Sequence, residues 1–322
     1  MRKNCGKIKT ALWLTLQFKA DFDRLLNIKN PTADEIAQAE KIKQVIEKRI
    51  ADFHEQFRRV SPEEAEQIMG REDFLGAQAI QETFGFAPEE ILPIPFEKEE
   101  LERAKELGQF LVLRIDRILD GQPLTMQAMK EMLRGKWGPI SVTDGLGHPG
   151  WCAEKKFYKE DVPQFSWALV TREPIPNSLQ SKRYLEQMDM ATRYLKEEIF
   201  QNQPMPRRYQ AAVQEFESQK KTIRRILRKW GDGWQKGAEM LESSAINKLT
   251  RQSPVEALYD FLVYYKHNNT RLLPDSHVWT RCSSDGYMVD MSGLKEDHLF
   301  VSAHRLETET YLGNVGTILS RR

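Results

Sequence analysis

The chain has 322 residues, with 48 Lys+Arg against 47 Asp+Glu, a formal charge of +1 and three cysteines. At about 150 residues per domain this length predicts two domains or a single large one, with core enough to need no disulfide or metal staple. Charged residues at 30% and apolar residues at 40% describe a well-solvated globular protein. They exclude collagen, a disulfide scaffold, a membrane bundle and a wholly disordered chain.

Arg2, Lys3, Lys7 and Lys9 precede the apolar run from Ala11 to Phe18, but Thr15 and Gln17 cut it and no small-residue cleavage site follows. Leu14, Phe18, Phe22 and Leu25 instead fall on one helical face, so an amphipathic first helix is expected rather than a signal peptide. No stretch reaches the ~18 apolar residues needed to span a bilayer, and no membrane partner is expected. Cys5, Cys152 and Cys282 are odd in number and far apart, which predicts a reducing, cytoplasmic setting.

Thr32-Ala33-Asp34-Glu35 is a capping box that opens a long helix to about Arg59, pairing with the first helix as a helical hairpin arm over 1–60. Ser61-Pro62-Glu63-Glu64 starts another helix that Gly70 ends, followed by a short helix over Gly76–Thr83, a proline-rich connector and a helix over Glu97–Leu107. Phe110–Ile115, Ile140–Val142 and Phe165–Val170 read as strands, with a short helix over Thr125–Leu133. Together with a helix over Leu179–Phe200 they make a central mixed α/β unit, 61–200.

Beyond the linker 201–206, the stripe Tyr209, Val213, Phe216, Ile223, Ile226/Leu227 and Trp230 predicts a helix that Gly231–Gly233 breaks. Ser253-Pro254-Val255-Glu256 is a further capping box, opening the helix that carries Leu258, Phe261, Leu262 and Tyr265. Asp285-Gly286 between alternating runs is a hairpin signal. Leu299–Ala303 and Thr317–Leu319 would complete a small antiparallel sheet, so 201–322 reads as a helical bundle plus that sheet. The fold class is α+β.

The words Glu66-Gln67-Ile68-Met69-Gly70, Pro93-Ile94-Pro95-Phe96, Asp120-Gly121-Gln122-Pro123-Leu124-Thr125-Met126, Ser166-Trp167-Ala168-Leu169-Val170 and Thr250-Arg251-Gln252-Ser253-Pro254 span Ser61 to Arg281. Over that range the chain resembles uncharacterised proteins of small-genome, candidate-phylum bacteria. The resemblance implies no activity and carries over no site residue.

Gly145-Leu146-Gly147-His148-Pro149-Gly150 matches the dinucleotide glycine pattern by letter, but Pro149 and Trp151-Cys152-Ala153 give no helix to receive a pyrophosphate, so a loop is expected and no such cofactor. His148 with Cys152 and His277 with Cys282 are two His/Cys pairs that could supply a tetrahedral zinc site, or else two loop histidines and two buried thiols. His267, His277, His298 and His304 crowd the C-terminal quarter beside Asp275, Asp285, Asp290 and Asp297, material for a general-base site without any recognisable catalytic motif.

Nine Lys/Arg against three acids lie between Pro204 and Lys236. On a helix Lys221, Arg224, Arg225 and Arg228 share one face and could contact nucleic-acid phosphates. Ser61 to Glu106 carries thirteen Asp/Glu against four Lys/Arg, so the two blocks could instead compensate each other. Trp13, Phe18, Phe22, Phe53 and Phe57 sit at helical spacing in the hairpin arm and are expected as core; an arm standing apart from a globular body would leave part of that stripe exposed for a protein partner or self-association. The function expected from these features is non-enzymatic protein interaction. The alternatives are nucleic-acid binding by the basic helix and a hydrolase-like C-terminal His/Asp site.

Overall fold

The computed structural model describes residues 32, 37, 41, 44, 60–133, 141–143, 150–180, 183–228, 233–293, 298–304, 306 and 314–322. By its internal contacts the chain divides into Met1–Arg59 and Val60–Arg322. All elements below belong to the second unit; the expected hairpin arm lies, apart from positions 32, 37, 41, 44 and 60, outside the described residues.

Helix α1 (Pro62–Met69) begins where the sequence signals it. Ser61 Oγ accepts from the Glu64 amide at 3.2 Å, and the Glu64 carboxylate accepts from the Ser61 amide at 3.1 Å. This reciprocal cap satisfies two N–H groups that a helix start otherwise leaves unpaired. Then follow β1 (Phe74–Leu75), α2 (Ala77–Phe84), α3 (Lys98–Glu106), β2 (Gln109–Arg114), α4 (Met126–Leu133) and β3 (Ser141–Thr143). Two single-turn helices, α5 (Gly150–Ala153) and α6 (Lys156–Lys159), precede β4 (Ser166–Thr171).

The helix expected over Leu179–Phe200 is shorter and ends differently. It comprises a 3-10 turn at Ser178–Gln180, α7 (Tyr184–Tyr194) and a π turn over Leu195–Ile199. Helices α8 (Arg207–Leu227), α9 (Gly233–Ser243), α10 (Ala245–Thr250) and α11 (Pro254–Asn268) lead into β5 (His277–Ser284), β6 (Tyr287–Ser292), β7 (His298–His304), β8 (Val315–Gly316) and β9 (Ser320–Arg321). The described residues form an α+β fold.

One sheet has strand order β1-β2-β4-β9 and the other β3-β7-β6-β5-β8. The second sheet is mixed rather than purely antiparallel, because β3 joins β7 and β8 joins β5 in parallel. Thr317–Leu319, expected as a strand, is a connector whose carbonyls receive the amides of Ile175 and Thr171. Asp285 (φ 54°) and Gly286 (φ 83°) turn the β5–β6 hairpin, the two positive φ angles that a two-residue turn of matching twist requires.

The period-two pattern of β5, β6 and β7 serves two cores. Val278, Cys282, Val289, Met291, Leu299 and Val301 face the core that also takes in β2, β4 and α11. Trp279 and Met288 face a second core built by α7 through α10. Helix α11 packs against β2, β5 and β6 and buries every residue from Pro254 to Tyr264, Glu256 and Asp260 included. Helices α8 and α9 approach closely because Gly237 has no side chain; a Cβ there would lie 2.3 Å from Leu227 Cδ2.

Candidate functional site

Helix α8 runs 21 residues without glycine or proline and buries Tyr209, Ala212, Val213, Phe216, Ile223 and Leu227, a stripe at the three-to-four-residue spacing of a helix. The opposite face is left to water. Lys221, Arg224 and Arg225, with Arg228 at the helix end, are all exposed. Their i, i+3, i+4, i+7 spacing lays four cations along about 10 Å of axis, at the end where the helix dipole favours positive charge.

None of the four forms an ion pair with a described residue, whereas the preceding Lys220 sits 2.5 Å from Asp189. The acid-rich stretch from Ser61 to Glu106 finds cations elsewhere: Glu102 pairs with Lys98, Glu106 with Arg103, Glu100 with Arg321 and Asp73 with Arg172. Among the described residues no ion pair joins the acidic block to the four cations.

A second cluster lies across β5, β6 and β7. Asp290 is fully buried, with Trp279 opposite it on β5 and Ser302 opposite it on β7. His277 and His304 stand two residues along from those positions, on the same face and diagonal to Asp290. His277 Nδ1 lies 2.8 Å from Asp290 Oδ1, and His304 Nε2 lies 2.8 Å from Oδ2. Burial pushes the Asp290 carboxyl up, but the bonds and charges of the two imidazoles outweigh it and hold the group below its usual 3.8. An ionised Asp290 accepts a hydrogen bond at Oδ1 from His277 Nδ1–H and faces the His304 ring as an ion-pair partner at Oδ2, which leaves His277 Nε2 and His304 Nδ1 free of the carboxylate. Both rings are partly exposed, and His304 also packs edge-on against Trp279 with centroids 5.8 Å apart.

Sequence reading had His277, Asp290 and His304 within one loose C-terminal group but gave no reason to join these three. His267 is held between Glu82 and the Arg71 carbonyl, Asp285 pairs with Lys155 at 2.5 Å, and Asp297 lies outside the described residues.

Of the two His/Cys pairs, His148 lies outside the described residues. Cys152 and Cys282 are both buried in the first core and form no disulfide with a described residue. Burial pushes the Cys282 thiol up to about 12, which disfavours the thiolate that zinc needs. His277 directs Nδ1 at Asp290 and not toward a thiol. Among the described residues no group of three or more His, Cys, Asp or Glu is placed to hold a metal ion, and no helix is long and apolar enough to cross a membrane. Comparison with protein-family models, curated proteins and solved structures finds no match to this chain.

Proposed function

We propose that this chain is a binding protein that docks nucleic-acid phosphate backbones on the exposed face of α8, in a reducing, cytoplasmic setting, with the mixed unit and helical bundle as its rigid support. The observation that carries this reading is the set Lys221, Arg224, Arg225 and Arg228, four exposed cations on one helix face without an ion pair to a described residue. Each backbone contact releases counterions, so binding must weaken steeply with salt. Fluorescence anisotropy with random single- and double-stranded RNA and DNA, at several salt concentrations, tests it. Changing all four residues to Gln is expected to flatten the slope of log affinity against log salt by roughly 3, at about 0.7–0.9 per contact. No binding near ~50 mM salt, or an unchanged slope in the variant, ends the proposal.

A second reading rests on the buried Asp290 between two partly exposed imidazoles. A carboxylate that orients an imidazole and stabilises its cation is the supporting half of a general-base pair, which suits a hydrolase-like site. The purified protein would then hydrolyse p-nitrophenyl acetate or bis(p-nitrophenyl) phosphate, and Asp290→Asn would lower the rate roughly 100-fold. Equal rates for the two proteins would leave the cluster as a sheet fastener.

A further inference from the structure

Helix α2 ends at Gly85, whose left-handed backbone (φ 87°) turns the chain into the proline-rich connector. That connector is pinned where Trp167 Nε1 donates to the Leu92 carbonyl at 2.7 Å. Facing it is the loop after β2, closed by bonds from the Leu124 amide to the Asp116 carbonyl, from Ile118 to Gln122 and from Gly121 to Ile118. Between the two walls lies an open groove of about 210 Å³, with Phe86, Pro88, Ile118, Leu119 and Phe165 on its apolar surface. The volume suits one large side chain and not an extended small-molecule ligand, for which pockets run to roughly 300–1,000 Å³.

Two features of this groove need an explanation that folding does not supply. Only three large apolar side chains stand exposed among the described residues, and two belong to this region: Leu119 at 60% on the loop tip and Ile91 at 47% on the connector. Isolated exposed apolar residues are ordinary, but a pair of them beside a preformed apolar groove marks a contact surface. The polar rim is one-sided as well. Glu89, Glu90 and Asp116 line it against the single guanidinium of Arg117, which lies 3.6 Å from Asp116. Neither Glu89 nor Glu90 pairs with a described residue.

We infer that this groove docks a segment of a partner protein in which one bulky apolar residue is flanked by Lys or Arg. The apolar side chain seats among Phe86, Ile118, Leu119 and Phe165, and the flanking cations pair with Glu89 and Glu90. Rim charges of one sign steer an oppositely charged segment and fix its register, while the buried anchor holds it. The walls are already closed by backbone bonds, so docking orders the peptide alone and not the groove. This surface is separate from the α8 face and of opposite charge.

The test is anisotropy of a fluorescein-labelled heptapeptide carrying one phenylalanine between two lysine pairs, titrated with the full chain. Matched peptides replace the phenylalanine by glycine or the lysines by glutamate. Saturable binding of the first peptide only is expected, weakened roughly tenfold or more by Leu119→Ser and also by Glu89→Gln with Glu90→Gln. All three positions are exposed, so these variants keep the fold, and unchanged far-ultraviolet circular dichroism verifies that. The inference is overturned by no saturation up to ~1 mM, or by equal binding of the glutamate peptide or by the variants. It is overturned too if light scattering finds a dimer that Leu119→Ser dissolves, since a second copy of the chain would then be the occupant.

Discussion

Replacing Arg114 with methionine is expected to lower the unfolding free energy by about 3–5 kcal/mol, the cost of leaving a buried charge without its partner. Arg114 ends β2 with no exposed surface, and its Nε and Nη2 donate to the two carboxylate oxygens of Asp260 at 2.9 and 2.5 Å. Nη2 also donates to Ser320 Oγ at 2.9 Å, and Nη1 lies 3.9 Å from Glu256. Burial opposes the guanidinium charge, yet the carboxylates of Asp260 and Glu256 outweigh it and raise the Arg114 pKa. Without Arg114, Asp260 keeps only the Gln252 amide, in the middle of a helix buried along eleven residues. Urea unfolding would read the loss as a lower midpoint at unchanged slope. The double variant Arg114→Met with Asp260→Leu is expected to recover most of it, because two apolar side chains need no partner. Equal losses in the single and double variants would mean that shape, and not charge, holds β2 to α11. By contrast the exposed Lys98–Glu102 pair, at 3.8 Å, contributes at most about 1 kcal/mol.

That network shows where the sequence stops being legible. Ser253 and Glu256 are recognisable as a capping box three residues apart, and the structure has both halves of it, at 3.4 and 2.9 Å. The same letters do not reveal that Glu256 is buried, or that Arg281 and Arg322 also reach it. The apolar stripe Leu258, Phe261, Leu262, Tyr265 predicts one buried face, whereas α11 is enclosed on all sides through Tyr264. Asp260 is compatible with that only because of Arg114, 146 residues away. Pairing over such a distance follows from topology, for which local spacing holds no signal.

The His277–Asp290–His304 cluster is hidden by a smaller event. A two-residue turn at Asp285-Gly286 pairs Ser284 with Tyr287 and, continued without interruption, sets Arg281 opposite Asp290. The irregularity between Trp279 and Ser283 shifts the register, so that Trp279 takes that place and His277 the diagonal. A shift by two residues keeps the same face inward, which is why alternation alone is blind to it. The basic face of α8 was readable because its cause is local. The apolar stripe sets which face is buried, and the four cations follow on the other.

Lowering the pH is expected to remove a stabilising contribution of about 3 kcal/mol at Glu256, the free-energy equivalent of its displaced pKa. Burial alone would raise this carboxyl. The charges of Arg114, Arg281 and Arg322 and the Ser253 amide outweigh burial and bring it from 4.5 to about 2. The unfolded chain therefore takes up the proton first. The contribution is fully present above pH 4.5 and is lost as pH falls from there toward 2. Asp290, also held below its usual value, adds a loss of the same sign below 3.8. Burial pushes Asp260 up despite Arg114, which works in the opposite sense. Glu256→Gln isolates the one group, because glutamine has the shape of the protonated acid and cannot ionise. At pH 7 the variant is expected to be less stable than the parent chain by about 3 kcal/mol, and the gap should close as the pH approaches 2. Unfolding both proteins in urea at half-unit pH steps measures that gap directly. A difference that stays constant across the range would mean that the three guanidiniums and the amide position Glu256 without stabilising its charge. A gap that closes would make the carboxylate itself the element that ties α11 to β2, to β5 and to Arg322 just beyond β9.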